Sequence, residues 1–285
     1  MKRNRSIHLR WVIGIVVVLC ATVLTWFGVP VVSSQGIVLR SYLVMGEVPS
    51  QPNDKAWEAI PPLPLPLSGQ IITRPVWPEP STKILSVRSV HNEKDIAFLL
   101  EWRDATKNER LTPGVFRDGA AIAFPLGDAP AFFCMGQLDH YVNIWHWKAD
   151  WQSDVDRRAA RAKQRKRKRG GGIRRFEVIP RRPSSVEDLI GGGFSTLTTK
   201  KKQGRIKGHA EWKRGFWRVV MKRPLSPLGL VGENEATLQP GRLQSVAFAV
   251  WNGENKERNG QKAVASWMEL FIDSDNRKTQ DHQSE

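Results

Sequence analysis

Alternation at a period of two constrains this chain more than any other feature. Residues 216–222 set Trp217, Val219 and Met221 on one face of an extended segment, and residues 244–251 do the same with Val246, Phe248 and Val250. Residues 84–90 and 96–102, joined by the turn-like His91-Asn-Glu-Lys-Asp95, predict a hairpin. Residues 120–124 follow the turn signal Asp118-Gly119, residues 142–148 also alternate, and residues 263–271 supply a last strand. Many short strands with Gly and Pro turns and no long amphipathic helix predict an all-β fold, an antiparallel β-sandwich with short helices. A chain of 285 residues is long enough for one such core, which the pattern places at residues 36–272.

The N-terminus has a different character. Residues 1–10 hold Lys2, Arg3, Arg5 and Arg10, and residues 11–29 form a charge-free apolar run of transmembrane length. This pairing predicts export, with the run acting as a transmembrane anchor or as a signal peptide. Its length exceeds the roughly 7–15 residues of a signal-peptide core, which favours an anchor, whereas Val32-Ser-Ser34 offers small residues for cleavage. Between residues 30 and 50 the only basic side chain is Arg40, so the charge asymmetry puts residues 1–10 in the cytoplasm and the main domain on the periplasmic side.

Asn53 or Asp54 is placed to cap one helical turn carrying Trp57. The following Ile60-Pro-Pro-Leu-Pro-Leu-Pro-Leu67 forces an extended path at a sheet edge or on the surface, and its alternating leucines suggest packing rather than a proline-rich ligand. The formal net charge of +16 is concentrated in residues 157–207, which carry 18 Lys and Arg against 3 acids. Residues 155–207 are predicted to be a disordered basic insertion, because Arg165-Lys-Arg-Lys-Arg-Gly-Gly-Gly172 repels itself and has almost nothing to bury. Export and the lack of interleaved aromatics argue against nucleic acid as its partner. An acidic protein, anionic lipid headgroups or plain solvent remain. Residues 273–285 make a polar tail.

Most catalytic arrangements are absent. There is no P-loop, no G-x-S-x-G elbow and no H-E-x-x-H, and His140 and His146 stand six apart rather than at a helical metal spacing. No nucleophile with its base is recognisable, so an independent enzyme is not expected and no catalytic residue is assigned. Cys20 and Cys134 form no C-x-x-C or C-x-x-C-H motif, which excludes a cysteine-bound cluster and covalent haem attachment. The stretch 130–150 stands out instead. It sets the thioether of Met135 after three apolar residues and beside Gly136, then runs into Trp145 and Trp147, a pattern suited to walling a cavity for a flat cofactor. Taken alone, a Met in an apolar run is far more often core filler than a ligand.

Phe116-Arg-Asp-Gly-Ala-Ala-Ile-Ala-Phe-Pro125, Phe133-Cys-Met-Gly136 and Val142-Asn-Ile-Trp-His-Trp-Lys-Ala149 together resemble the b-haem-binding gamma subunits of the type II dimethyl-sulfoxide-reductase family. That group includes the gamma subunits of ethylbenzene dehydrogenase, chlorate reductase and dimethylsulfide dehydrogenase, and similar subunits of nitrite oxidoreductases. The resemblance implies a β-sandwich holding one non-covalent haem b between a Met and a Lys. It carries the Met role to Met135 and the Lys role to Lys262, just before the last predicted strand, with Lys256 as the fallback. Either Lys would otherwise read as a solvated loop residue. The implied partners are a molybdopterin catalytic subunit and an iron-sulfur subunit, with electrons relayed to or from an external carrier such as a c-type cytochrome.

Two alternatives accompany this reading. His146 competes for the iron, since imidazole is the commonest protein ligand to haem, although on a strand it shares a face with Val142 and Ile144 and also suits a packed core histidine. A cofactor-free carbohydrate-binding sandwich, gripping a sugar with exposed tryptophans, is compatible with 12 Trp and 2 Tyr in an all-β chain.

Overall fold

The computed structural model describes residues 36–127, 129–132, 135–167, 178–225 and 235–274. The cytoplasmic segment 1–10 and the anchor or signal segment 11–29 expected from the sequence lie outside the described residues. Among the described residues no helix is long and apolar enough to cross a membrane.

The described strands are β1 (Val38–Leu43), β2 (Leu63–Pro66), β3 (Ser68–Gly69), β4 (Ile84–His91), β5 (Asp95–Arg103), β6 (Gly119–Pro125), β7 (Val142–Lys148), β8 (Val186–Gly191), β9 (Thr198–Thr199), β10 (Lys207–Lys213), β11 (Phe216–Pro224), β12 (Leu243–Trp251) and β13 (Ala263–Ile272). They form one sheet in the order β10-β11-β5-β4-β1-β13-β12-β6-β7-β8-β9, with β2 paired to β4 and β3 to β13. The all-β expectation holds, and pairing is antiparallel except at β1, which runs parallel to both β13 and β4. β1 is thus the seam between two halves.

The sheet curls until those halves face each other. Phe98 on β5 meets Phe124 on β6 and Trp145 on β7, each at 5.9 Å between ring centroids. Trp147 lies 6.2 Å from Trp102 and 4.9 Å from Trp217. Trp217, Val219 and Met221 from one half and Val246, Phe248 and Val250 from the other enter this core, as their alternation predicts. Enclosed aromatics dominate such an interior because each removes a large apolar area from water.

The outer face of the first half has its own cover. Asp54 caps a 3-10 turn, Lys55–Ala59, by accepting from the Ala56 N–H at 3.0 Å, and the turn plants Trp57 in a cluster with Val48, Ile60, Val90, Ala97, Leu99 and Val220. The prolines then follow the expected extended path, with β2 pairing antiparallel to β4 and Leu65 fully enclosed.

The basic insertion 155–207 needs correction. Helix α1, Ala149–Arg167, continues directly from β7, so a long helix is present where none was expected. β8 and β9 also fall inside the supposedly disordered span, and β8 pairs along most of β7. The reason is local. Trp147 Nε1 donates to Gln152, Asp154 accepts from Arg157 and Arg182, and Trp151 lies under both Lys148 at 4.6 Å and Arg182 at 4.3 Å. Val186 and Leu189 are buried, so this part of the span has apolar groups to hide despite its charge. Residues 168–177 lie outside the described residues. Of the tail, Asp273 is tied down by an ion pair with Arg40 at 2.7 Å.

Candidate functional site

Two faces of unlike depth arise on β6, β7 and β12. Ala120, Ile122 and Phe124 of β6 and Val246, Phe248 and Val250 of β12 point into the core, whereas Ala121, Ala123, Ala247 and Ala249 point outward. Register sets Ala247 opposite Ala123 and Ala249 opposite Ala121, and then Ala123 beside Ile144 and Ala121 beside His146. The outward face is a shelf of methyl groups bounded by Val142, Ile144, Leu189 and Trp251. Trp145 and Trp147, expected to wall the cofactor cavity, instead face the core and are fully enclosed. Strand parity decides this, since Val142, Ile144, His146 and Lys148 take the outward positions of β7.

The loop between β6 and β7 brings Met135 onto the shelf. Its base is closed by the Leu126 N–H donating to the Tyr141 carbonyl at 2.9 Å, and its far end is a tight turn between Gln137 and His140. Gly136 adopts φ of +78°, and a Cβ there would meet the Gly191 carbonyl oxygen, so a glycine is required immediately after Met135. The Gly193 N–H donates to the Met135 carbonyl at 3.1 Å, and Trp267 Nε1 donates to the Ala131 carbonyl at 2.7 Å. Trp267 faces outward because the pairing of β12 with β13 shifts between Val246 and Phe248, a bulge that re-aims the following side chains.

Lys262 arrives from the loop that joins β12 to β13. Buried Glu257 gathers that loop by accepting from Asn252 N–H, Ser81 N–H, Ser81 Oγ and Trp77 Nε1. Trp251 Nε1 donates to the Asn259 carbonyl at 3.1 Å, and the Gly253 N–H donates to Asp118 at 2.8 Å. Asp118 also accepts from the Asn108 N–H and from Trp217 Nε1. Burial, reinforced by the charge of Asp104, pushes the Asp118 carboxyl up to about 7.

These two loops meet. Lys262 Nζ lies 3.1 Å from Met135 Sδ and 5.1 Å from the centre of the Trp251 ring, and Lys262 is only 7% exposed. Lys262 Nζ donates to Met135 Sδ, so an amine and a thioether face each other above a floor of methyl groups, and parting them would offer one nitrogen and one sulfur to a single flat metal-bearing group. Lys256, the fallback, sits exposed on a turn at φ of +58°. His146 stacks on Trp251 at 4.6 Å, and no hydrogen bond or ring contact joins it to Met135 or Lys262. Its ring is held neutral, well below the usual imidazole range, by burial and by the charges of Lys148, Arg117 and Lys262. Among the described residues there is no group of three or more His, Cys, Asp or Glu side chains fit to hold a metal ion.

Sequence reasoning missed Trp251, Trp267 and the alanine shelf. The signal for the shelf is the alternation of large and small residues in Val246-Ala-Phe-Ala-Val250, whose small members mark the outward face. No local signal marks Trp267, because its direction depends on the bulge.

The chain is 28% identical to a protein of Haloferax mediterranei described as a respiratory nitrate reductase heme subunit, over 90% of this chain and 80% of that one. It is 27% identical to the chlorate reductase subunit gamma of Ideonella dechloratans, over 95% of this chain and 99% of that one. It is 27% identical to the dimethylsulfide dehydrogenase subunit gamma of Rhodovulum sulfidophilum, over 84% of this chain and 79% of that one. Among solved structures, a family 9 carbohydrate binding module from Caldicellulosiruptor kristjanssonii in complex with cellotriose aligns at 10% identity over 84% of this chain and 96% of that one, with a TM-score of 0.44, too loose a likeness to build on. Residues 54–263 match the ethylbenzene dehydrogenase family along most of the sandwich, and the chain belongs to that family.

Proposed function

We propose that this chain is a haem-binding electron-transfer subunit of a molybdopterin oxidoreductase complex, with Met135 and Lys262 as the axial ligands of a non-covalent haem b. The observation that carries it is the approach of Met135 Sδ and Lys262 Nζ to 3.1 Å from loops 127 residues apart in sequence. Membership of the ethylbenzene dehydrogenase family and the heme and gamma subunits among its relatives support the same reading.

When bound, the haem supplies one-electron iron chemistry. The residues of this chain have the other tasks. Met135 and Lys262 offer the donors, the Gly136 turn and the Trp267 bond fix the Met loop, and the shelf excludes water beneath. A thioether ligand raises the potential of a haem, which suits a subunit that accepts electrons. Substrate chemistry belongs to a separate molybdopterin subunit. Electrons pass between an iron-sulfur subunit and an external carrier such as a c-type cytochrome, on the periplasmic side of a membrane in which residues 11–29 form an anchor or act as a cleaved signal peptide.

The test is reconstitution of the full chain with haem. The expected result is a Soret band whose position changes in both Met135→Ala and Lys262→Ala. Protein that stays colourless after haem addition overturns the function, while a spectrum moved only by His146→Ala overturns the ligand pair alone.

A further inference from the structure

The outward face changes character along β7. Val142 and Ile144 are apolar, His146 and Lys148 are polar, and all four share that face by strand parity. The neighbours keep step, since Leu189 lies opposite Ile144 and Glu187 opposite His146. The shelf therefore has an apolar end near Met135 and a polar end near Lys148 and Arg117. A haem has the same asymmetry, an apolar ring carrying two carboxylates on one edge.

His146 is the unusual group at the polar end. Its ring lies against Trp251, and Gly119 leaves it room, for a Cβ there would stand 3.2 Å from Nε2. No hydrogen bond joins the ring to any described residue, although an edge remains accessible. A neutral imidazole has one donor and one acceptor, and the accessible edge leaves the ring open to a partner from outside the chain. Lys148, 8% exposed, has three N–H donors, of which Glu187 takes one in a close ion pair. Arg117 is bound to Asp150 at 2.9 Å, and its charge reaches His146 together with that of Lys148. Each cation already has one carboxylate partner, and the remaining N–H donors of Lys148 beside the open edge of His146 suit a further anionic acceptor.

We propose that His146 and Lys148 bind a propionate carboxylate of the haem, with Arg117 adding positive field behind them. This inference rests on the haem reading above and gives His146 a role in orienting the cofactor rather than in ligating iron. A hydrogen-bonded carboxylate at this end would fix which edge of the porphyrin enters the shelf.

The experiment titrates the full-length apo chain with haemin and with haemin dimethyl ester, following the Soret band. Wild type is expected to bind the free acid at least about tenfold more tightly than the ester, in line with a charge-assisted hydrogen bond. His146→Phe should lose that preference while the band positions that report the axial ligands stay unchanged. Lys148→Met should behave likewise. The double variant Lys148→Met with Glu187→Gln removes both members of the buried pair, so it tests the same point without an unpaired buried charge. Equal binding of acid and ester by wild type, or an undiminished preference in these variants, overturns the proposal. A His146→Phe spectrum with altered band positions also overturns it, because the ring would then be an iron ligand. A Soret band that stays where the free porphyrin has it, with acid and ester alike, would instead defeat the haem reading itself.

Discussion

The two outer flanks of the curled sheet are built on opposite plans. On the flank of β4, β5 and β11 the chain supplies its own lid, and Trp57 with Val48 and Ile60 covers Val90, Leu99 and Val220. On the flank of β6, β7 and β12 the strands show alanines, and what stands over them is a thioether, an amine and two tryptophans. The first flank is finished by packing. The second keeps its strand side chains short, and the loops that cover them bring Met135 and Lys262 together. Protein interiors are close-packed, so a run of small residues at neighbouring positions with donors above it is informative.

Trp57→Ala should have the largest effect, a loss of about 3–5 kcal/mol in unfolding free energy measured by urea titration, with haem binding unchanged in whatever remains folded. A comparable loss of haem affinity in that variant would erase the contrast between the flanks. Ala249→Phe is the reciprocal change. Filling the shelf should weaken haem binding about 100-fold, roughly 2.7 kcal/mol, in a spectroscopic titration, while unfolding free energy moves less than it does for Trp57→Ala. Unaltered haem affinity would show that the shelf is not the floor of the site.

Asp118 provides the smallest and most specific test. Its folded-state pKa of about 7 lies above the ordinary 3.8, so the folded protein keeps a proton that the unfolded chain has released. Its contribution is fully present below about pH 4 and is lost as pH rises through 7. Asp118→Asn, which does not titrate, should therefore gain on wild type by on the order of 2 kcal/mol between pH 4 and pH 8, after allowing for partial solvent screening. The same stability difference at both pH values would show that the carboxyl is ionised throughout. Because Asp118 holds the Gly253 N–H at the start of the Lys262 loop, the experiment also tests how firmly that loop is anchored.

Much of the architecture is legible in the amino-acid order. The hairpin of β4 and β5, the limits of β7 and the inward faces of β11 and β12 follow from alternation, because a half-buried strand imposes a two-residue period on its own residues. The cap at Asp54 and the edge path of the prolines are equally local. The helix in the basic segment is not legible in this way. Its charges mask the contacts of Trp147 with Gln152 and of Trp151 with Lys148 and Arg182, which depend on groups brought in by β7 and by residue 182.

The linear chain carries the period and the faces, and through resemblance in Phe133-Cys-Met-Gly136 and in the segment around Lys262 it singles out two candidate donor side chains. Only folding in three dimensions makes Met135 and Lys262 meet, turns Trp145 and Trp147 away from the site and brings Trp251 and Trp267 to it. Those outcomes depend on strand register, on the bulge in the pairing of β12 with β13 and on loop closure across the curl. Such contacts join residues far apart in the chain, and no local pattern encodes them.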